Sequence, residues 1–261
     1  MNIIKEFFGF GGYQRVPEGY LSWQHLTFVS ALVVIMIALA AVLGIRNQGK
    51  SMSARNRVLI VAAIAIDSLE IFKIVLMCIR GNDPMGWLYE LPLFLCSIQL
   101  ITLPLAAFSK GRVKEAALDF VFIFGILGAI LGTYGAGQNY GCYPVLCFDN
   151  VVSGITHCIS GFASLYIAVS GMASMKRQNI FITFAILCST CIAAYVANVR
   201  LDYNYMFLMR GDGTPYDIVY NWVGGHRVLY PCAVVLLFLV YISAFYGIYF
   251  LLGRRQKKNA E

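Results

Sequence analysis

The chain is 261 residues long, 59% hydrophobic and only 13% charged, with a mean hydropathy of +0.71. Soluble domains are roughly half apolar and about a quarter charged, so this composition excludes a soluble enzyme or binding module and defines an all-α integral membrane protein. The net charge of +7 does not mark a nucleic-acid partner, because in a membrane protein the position of basic residues matters more than their sum.

Residues 1–24 carry Lys5, Glu6, Arg15 and Glu18 and lack both the long apolar run and the small-residue cleavage site of a secretory signal. Within them Phe7–Tyr20 is rich in aromatics and glycine, suited to the outer membrane interface as an anchor or as a lid. Apolar runs of spanning length follow at Leu26–Ile45, Val58–Ile79, Leu88–Phe108, Ala116–Thr133, Val151–Ala173, Asn179–Val199 and Tyr230–Leu252. At about 20 residues per crossing, they predict one polytopic domain over 1–261, a seven-transmembrane helix bundle. The fourth run is the shortest, and its Gly125, Gly128 and Gly132 predict close helix packing. The last is expected to face lipid.

Arg46, Lys50, Arg55 and Arg57 follow the first run, Lys110, Arg112 and Lys114 the third, and Lys176 and Arg177 the fifth. Arg254, Arg255, Lys257 and Lys258 follow the seventh, so most of the 20 basic residues fall on one side. The positive-inside rule then places the N-terminus outside and the C-terminus in the cytoplasm.

Measured along ideal helices from their outer ends, Cys96 lies roughly 12 Å deep, His157 and Lys73 roughly 9 Å, and Glu70 roughly 14 Å. Gln99 follows one turn below Cys96, and Asp67 is near or past the midplane. Asn198 and Asn204 mark the outer end of the sixth run and His25 the outer start of the first. Polar groups therefore crowd the outer half of the bilayer. Asp67, Glu70 and Lys73 share one helix face, which either satisfies itself through a Glu70–Lys73 pair or lines a wet cavity opening outward.

Cys96 alone reads as a small buried hydrophobe, and His157 alone as a hydrogen-bonded packing residue. At one depth, they have the makings of an acyl-transfer centre: a thiolate attacks an acyl carbonyl while an imidazole takes and returns the proton. Gln99, Asn204 or Lys73 are candidate oxyanion donors. There is no HExxH motif and no ligand-spaced pair beside His157, so no metal is expected. Cys142 and Cys147 fall in an outer loop where a disulfide is permitted. Cys78, Cys158, Cys188, Cys191 and Cys232 read as packing residues.

The segment E-L-P-L-F-L-C-S-I (Glu90–Ile98) resembles the L-P-L-H-L-C-S-I signature of the bacterial YwaF family, which is related to the eukaryotic transmembrane protein 164 acyltransferases. V-S-G-I-T-H-C (Val152–Cys158) resembles that family's later helix with a single His. N-Y-M-F-L (Asn204–Leu208), then Thr214, Pro215 and Asp217, resembles its N-Y-L-Y-L…K-P segment. Order and spacing agree from His25 to Pro231. Phe94 stands where the family motif has His, and either Arg210 or nothing replaces the family's Lys before the late Pro.

The resemblance implies a seven-helix fold in the bacterial cell membrane, with Cys96 as nucleophile and His157 as base, acting on membrane lipids without a cofactor. Asp67, Glu70, Lys73, Gln99, Asn204 and Tyr205 are the expected substrate-binding or supporting residues. The more distant androgen-induced and androgen-dependent membrane hydrolases are similar in arrangement, with Thr in the nucleophile role. The expected function is lipid acyl transfer through an acyl-cysteine. The alternatives are a thiol-dependent lipid ester hydrolase, and a transporter or binding protein for a lipid or small molecule. Donor, acceptor and oligomeric state are left open by the sequence.

Overall fold

A bilayer offers no water to backbone N–H and C=O groups, so spanning segments must satisfy them internally. In the computed structural model, which describes residues 3–258 with side chains through Leu252, helices are accordingly the regular elements, and no strand occurs among the described residues. They are α1 (Ile3–Phe7), α2 (Trp23–Asn47), α3 (Met52–Gly81), α4 (Gln99–Phe108), α5 (Gly111–Thr133), α6 (Gly137–Cys142), α7 (Phe148–Val169), α8 (Ile180–Leu201), α9 (Tyr216–Trp222) and α10 (Leu229–Lys258). The side chains of Arg254, Arg255, Lys257 and Lys258 lie outside the described residues.

Local chemistry sets several boundaries. The Ser22 and Ser51 hydroxyls accept the His25 and Ala54 N–H groups and cap α2 and α3. Asn82 and Asp202 close α3 and α8 in the left-handed conformation.

Five segments are long and apolar enough to cross a membrane: Trp23–Asn47, Gly111–Cys142, Phe148–Val169, Arg177–Leu201 and Leu229–Leu252. The other two expected spans depart from that form. Helix α3 has 30 residues but carries Asp67, Glu70 and Lys73 along its length. The run Leu88–Phe108, expected as one helix, is broken. A 3-10 turn at Gly86–Tyr89 leads into irregular backbone, and α4 has only 10 residues. Pro92 lies in the break; it has no N–H to donate and disfavours helical dihedrals at the residue before it.

Helix α5 is the central post, packed on α4 and α7, and α7 in turn packs on α2 and α3. The expected close packing is present. A methyl group at Gly125 would sit 2.6 Å from the Ser160 carbonyl, and one at Gly161 would sit 2.6 Å from the Ala129 methyl. Small residues let the α5 and α7 backbones approach.

Three basic loops meet at one end of the bundle. Arg55 donates to the Ser170 and Gly171 carbonyls at 2.8 and 2.9 Å. Lys114 donates to Asn56 Oδ1 at 2.7 Å and to the Ala106 carbonyl at 2.6 Å. Asp119, fully buried near that end of α5, accepts from the Met175 N–H (2.9 Å), Asn179 Nδ2 (2.8 Å) and the Tyr246 hydroxyl (3.0 Å). That carboxylate ties α5 to the α7–α8 connection and to α10.

Residues 7–20 are docked at the opposite end. Arg80 pairs with Asp149 at 2.8 Å and donates to the Phe8 carbonyl at 2.9 Å, and the Tyr13 hydroxyl donates to Asp149 at 2.9 Å. Burial and the neighbouring Asp149 carboxylate push the Tyr13 phenol well above its usual range. Phe7 and Phe8 rest on Phe148, and Glu18 Oε2 accepts the Val145 N–H at 2.7 Å. This segment is a strap over the ends of α3 and α7.

Candidate active site

The broken segment between Tyr89 and Gln99 is held from outside. The Tyr205 hydroxyl donates to the Leu88 carbonyl at 2.6 Å and accepts the Leu91 N–H at 3.3 Å, and its ring lies 5.1 Å from that of Phe94. Irregular backbone in an apolar setting needs such partners. The chain then tightens. Phe94 N–H donates to Ser97 Oγ at 3.0 Å, Ser97 Oγ returns a bond to the Phe94 carbonyl at 3.1 Å, and the Ile98 N–H reaches that carbonyl at 3.0 Å. Cys96 rides in this turn, immediately before α4.

His157 comes from the middle of α7. Its Nδ1 lies 2.7 Å from the Ser153 carbonyl. A carbonyl only accepts, so Nδ1 carries the proton and Nε2 presents its lone pair. Cys96 and His157 are both half-buried, and both lie against α5.

Two glycines of α5, one turn apart, make room for the pair. A Cβ at Gly128 would lie 3.6 Å from the Cys96 Cα, and a Cβ at Gly132 would overlap the imidazole of His157. Gly128 and Gly132 are four residues apart and so share a helix face. That face sets Cys96 and His157 side by side.

Lys73 Nζ lies 2.6 Å from Glu70 Oε1 and 3.2 Å from Glu90 Oε2. The expected Glu70–Lys73 pair is present, with Glu90 as a third member that the sequence did not single out. Asp67 stays outside this group; its Oδ1 is buried without a hydrogen-bond partner among the described residues. Gln99 is fully buried; its Oε1 accepts from Thr102 at 3.0 Å, and its Nε2 has no partner among the described residues.

Asn204 sits in the loop after α8. Its Nδ2 donates to the Arg210 carbonyl and to Asp212, both at 2.8 Å, and its Oδ1 accepts the Met209 N–H at 2.9 Å. These bonds staple the loop, and Tyr205 beside it steadies the Cys96 segment. His25 is likewise structural: its ring nitrogens meet the Leu21 N–H and the Thr133 carbonyl, and the ring stacks 4.0 Å from Tyr140. Cys142 and Cys147 are free thiols, the first exposed and the second buried. Burial pushes the Cys147 thiol up.

Ser153, Glu90, Gly128 and Gly132 were not singled out for the site. The i, i+4 glycine pair in an apolar helix was the available signal, and it read as helix packing alone.

These features define a polytopic helical membrane protein with a half-buried thiol and an oriented imidazole on a glycine-lined helix face. The sequence profile of the TMEM164 family matches residues 20–246, and the chain belongs to that family. The match names that family and not the bacterial YwaF branch. No curated protein and no solved structure matches the chain.

Proposed function

We propose that the protein is a membrane lipid acyltransferase working through an acyl-cysteine. The observation that carries this reading is the 2.7 Å contact between His157 Nδ1 and the Ser153 carbonyl. With Nδ1–H held by the Ser153 carbonyl, Nε2 is left to serve as the base for Cys96, the order of groups an activated nucleophile requires.

In the first half-reaction, Nε2 takes the thiol proton and Cys96 Sγ attacks the ester carbonyl of a lipid. The carbonyl oxygen becomes an oxyanion, for which the N–H groups of the Cys96 turn, Gln99 and Lys73 are the candidate donors. As the C–O bond breaks, imidazolium returns its proton to the departing lipid alkoxide, leaving a thioester on Cys96. In the second half, Nε2 deprotonates the hydroxyl of an acceptor lipid, which attacks the thioester and regenerates the thiol. With water as acceptor, the same centre is a thiol-dependent lipid hydrolase.

The membrane arrangement belongs to the same proposal. Helix α3 and the combination of the broken segment with α4 add two crossings to the five apolar ones, giving seven. Three basic loops at one end support a cytoplasmic C-terminus and an external N-terminus. The site then opens to the outer half of a bacterial cell membrane. Membership of the TMEM164 family is compatible with acyl transfer. Transport is less well supported, since the polar groups gather toward one end and do not form a path across.

Acyl exchange between a labelled donor phospholipid and an unlabelled lysolipid in nanodiscs tests the assignment. Transfer that disappears in both Cys96→Ala and His157→Ala supports it. Release of free fatty acid alone would favour the hydrolase. Transfer unaffected by Cys96→Ala would remove Cys96 from the mechanism.

A further inference from the structure

Helices α2 and α3 are joined by a turn of only a few residues, over 48–51. Helices so connected ordinarily pack side by side in a bundle. Here they splay apart: each packs on α7, and they scarcely touch one another. The gap is a cavity of about 530 Å³, within the size range of small-molecule sites, roughly 300–1,000 Å³.

Its walls are apolar: Leu39 from α2, Ala62 and Ala65 from α3, and Ile159 and Phe162 from α7. Along α2 the lining runs from Leu32 to Leu43, roughly 16 Å of helix. That is about half of a hydrocarbon core of ~30 Å, the depth of one leaflet. Water gains nothing in such a space, whereas an acyl chain matches it.

The single charged residue of the lining, Arg57, stands at the end where the basic loops meet. It is exposed and has no ion pair or hydrogen bond among the described residues. Arg55 is committed to the Ser170 and Gly171 carbonyls and Lys50 to Asn47. The stretch 46–57 contains no Asp or Glu, so the positive charge of Arg57 lacks a local counter-charge. A planar guanidinium matches phosphate oxygens in geometry as well as charge.

We propose that this wedge is a phospholipid site separate from the thiol–imidazole pair: it holds one acyl chain of an anionic phospholipid, whose phosphate pairs with Arg57. Cys158 faces the wedge while its neighbour His157 faces α5, so occupancy does not depend on the acyl-transfer reading.

The test uses the full chain in nanodiscs containing phosphatidylglycerol or phosphatidylcholine with the same diazirine-bearing chains. Adducts are mapped by mass spectrometry after irradiation. The expected result is labelling concentrated on the facing sides of α2, α3 and α7, with phosphatidylglycerol favoured about tenfold, or about 1.4 kcal/mol. Arg57→Gln should bring the two lipids to parity. Ala65→Phe, which fills the wedge, should lower both about tenfold, and Cys96→Ala should change neither. Labelling spread evenly over outward faces, α10 included, would overturn the proposal, as would equal labelling by both lipids in the unaltered protein. Loss of the phosphatidylglycerol preference on adding inorganic phosphate, with chain labelling intact, would overturn the headgroup assignment in favour of a free-anion site.

Discussion

Gly132 and His157 occupy one place between them: the imidazole lies where a side chain of residue 132 would begin. One turn earlier on α5, Gly128 leaves ordinary van der Waals room beside Cys96. The central helix thus sets the position of the imidazole more strictly than that of the thiol.

Gly132→Ala should therefore disable the site by displacing the ring. A shift near 1 Å is expected to reduce turnover about 100-fold while the protein stays folded. Gly128→Ala should be tolerated. Steady-state turnover of both variants, with circular dichroism as the folding control, checks the contrast.

Lys73 bridges Glu70 and Glu90 and is only 15% exposed. Lys73→Met leaves two carboxylates facing each other in an apolar setting and should cost about 3 kcal/mol. Adding Glu70→Gln should recover part of that loss. Thermal unfolding of the single and double variants in one detergent measures the coupling. Equal unfolding temperatures would show that the pair is not structural.

Asp119 is remote from the pair and serves the fold. Asp119→Ala abandons the donors of Ser174, Met175, Asn179 and Tyr246. Stability should fall by about 3 kcal/mol, with turnover per folded molecule unchanged. A reduced unfolding temperature with normal specific activity is the expected signature.

Tyr205→Phe removes both bonds that hold the backbone at Leu88 and Leu91. Hydrogen exchange over 88–98 should rise, and turnover should fall about tenfold through loosening of the Cys96 turn. Exchange unchanged in that segment would contradict the scaffold role.

The thiols at the strap end report on topology. Cys142 is exposed and Cys147 buried. In intact spheroplasts a membrane-impermeant maleimide should label Cys142 readily and Cys147 hardly at all. Protection of Cys142 until the membrane is permeabilised would reverse the proposed orientation.

Much of the bundle is legible in hydrophobic periodicity, because a crossing helix must be apolar for its whole length. Helices α2, α5, α7, α8 and α10 all fall where apolar runs predict them. The break before α4 is not legible from Pro92 alone, because a proline is tolerated in membrane helices when neighbours satisfy the backbone it frees. Here the neighbour is Tyr205, over 100 residues away. Depth arithmetic places Cys96 and His157 at one level, and the structure sets Cys96 beside Gly128 and His157 beside Gly132 on α5. The same arithmetic gave no lateral position, so Asn204, at a similar level, was grouped with them although its bonds serve its own loop. Ser153 escaped notice because the carbonyl that orients His157 is backbone and leaves no trace in side-chain identity.

The central claim is that Cys96 takes an acyl group with His157 as its base. The most direct measurement is intact and peptide mass spectrometry of the purified protein after incubation with a clickable acyl phospholipid, quenched at acid pH to preserve a thioester. The account predicts one hydroxylamine-labile acyl adduct, on Cys96, absent in Cys96→Ala and strongly reduced in His157→Ala. Acylation spread over several cysteines and unchanged by His157→Ala would contradict it.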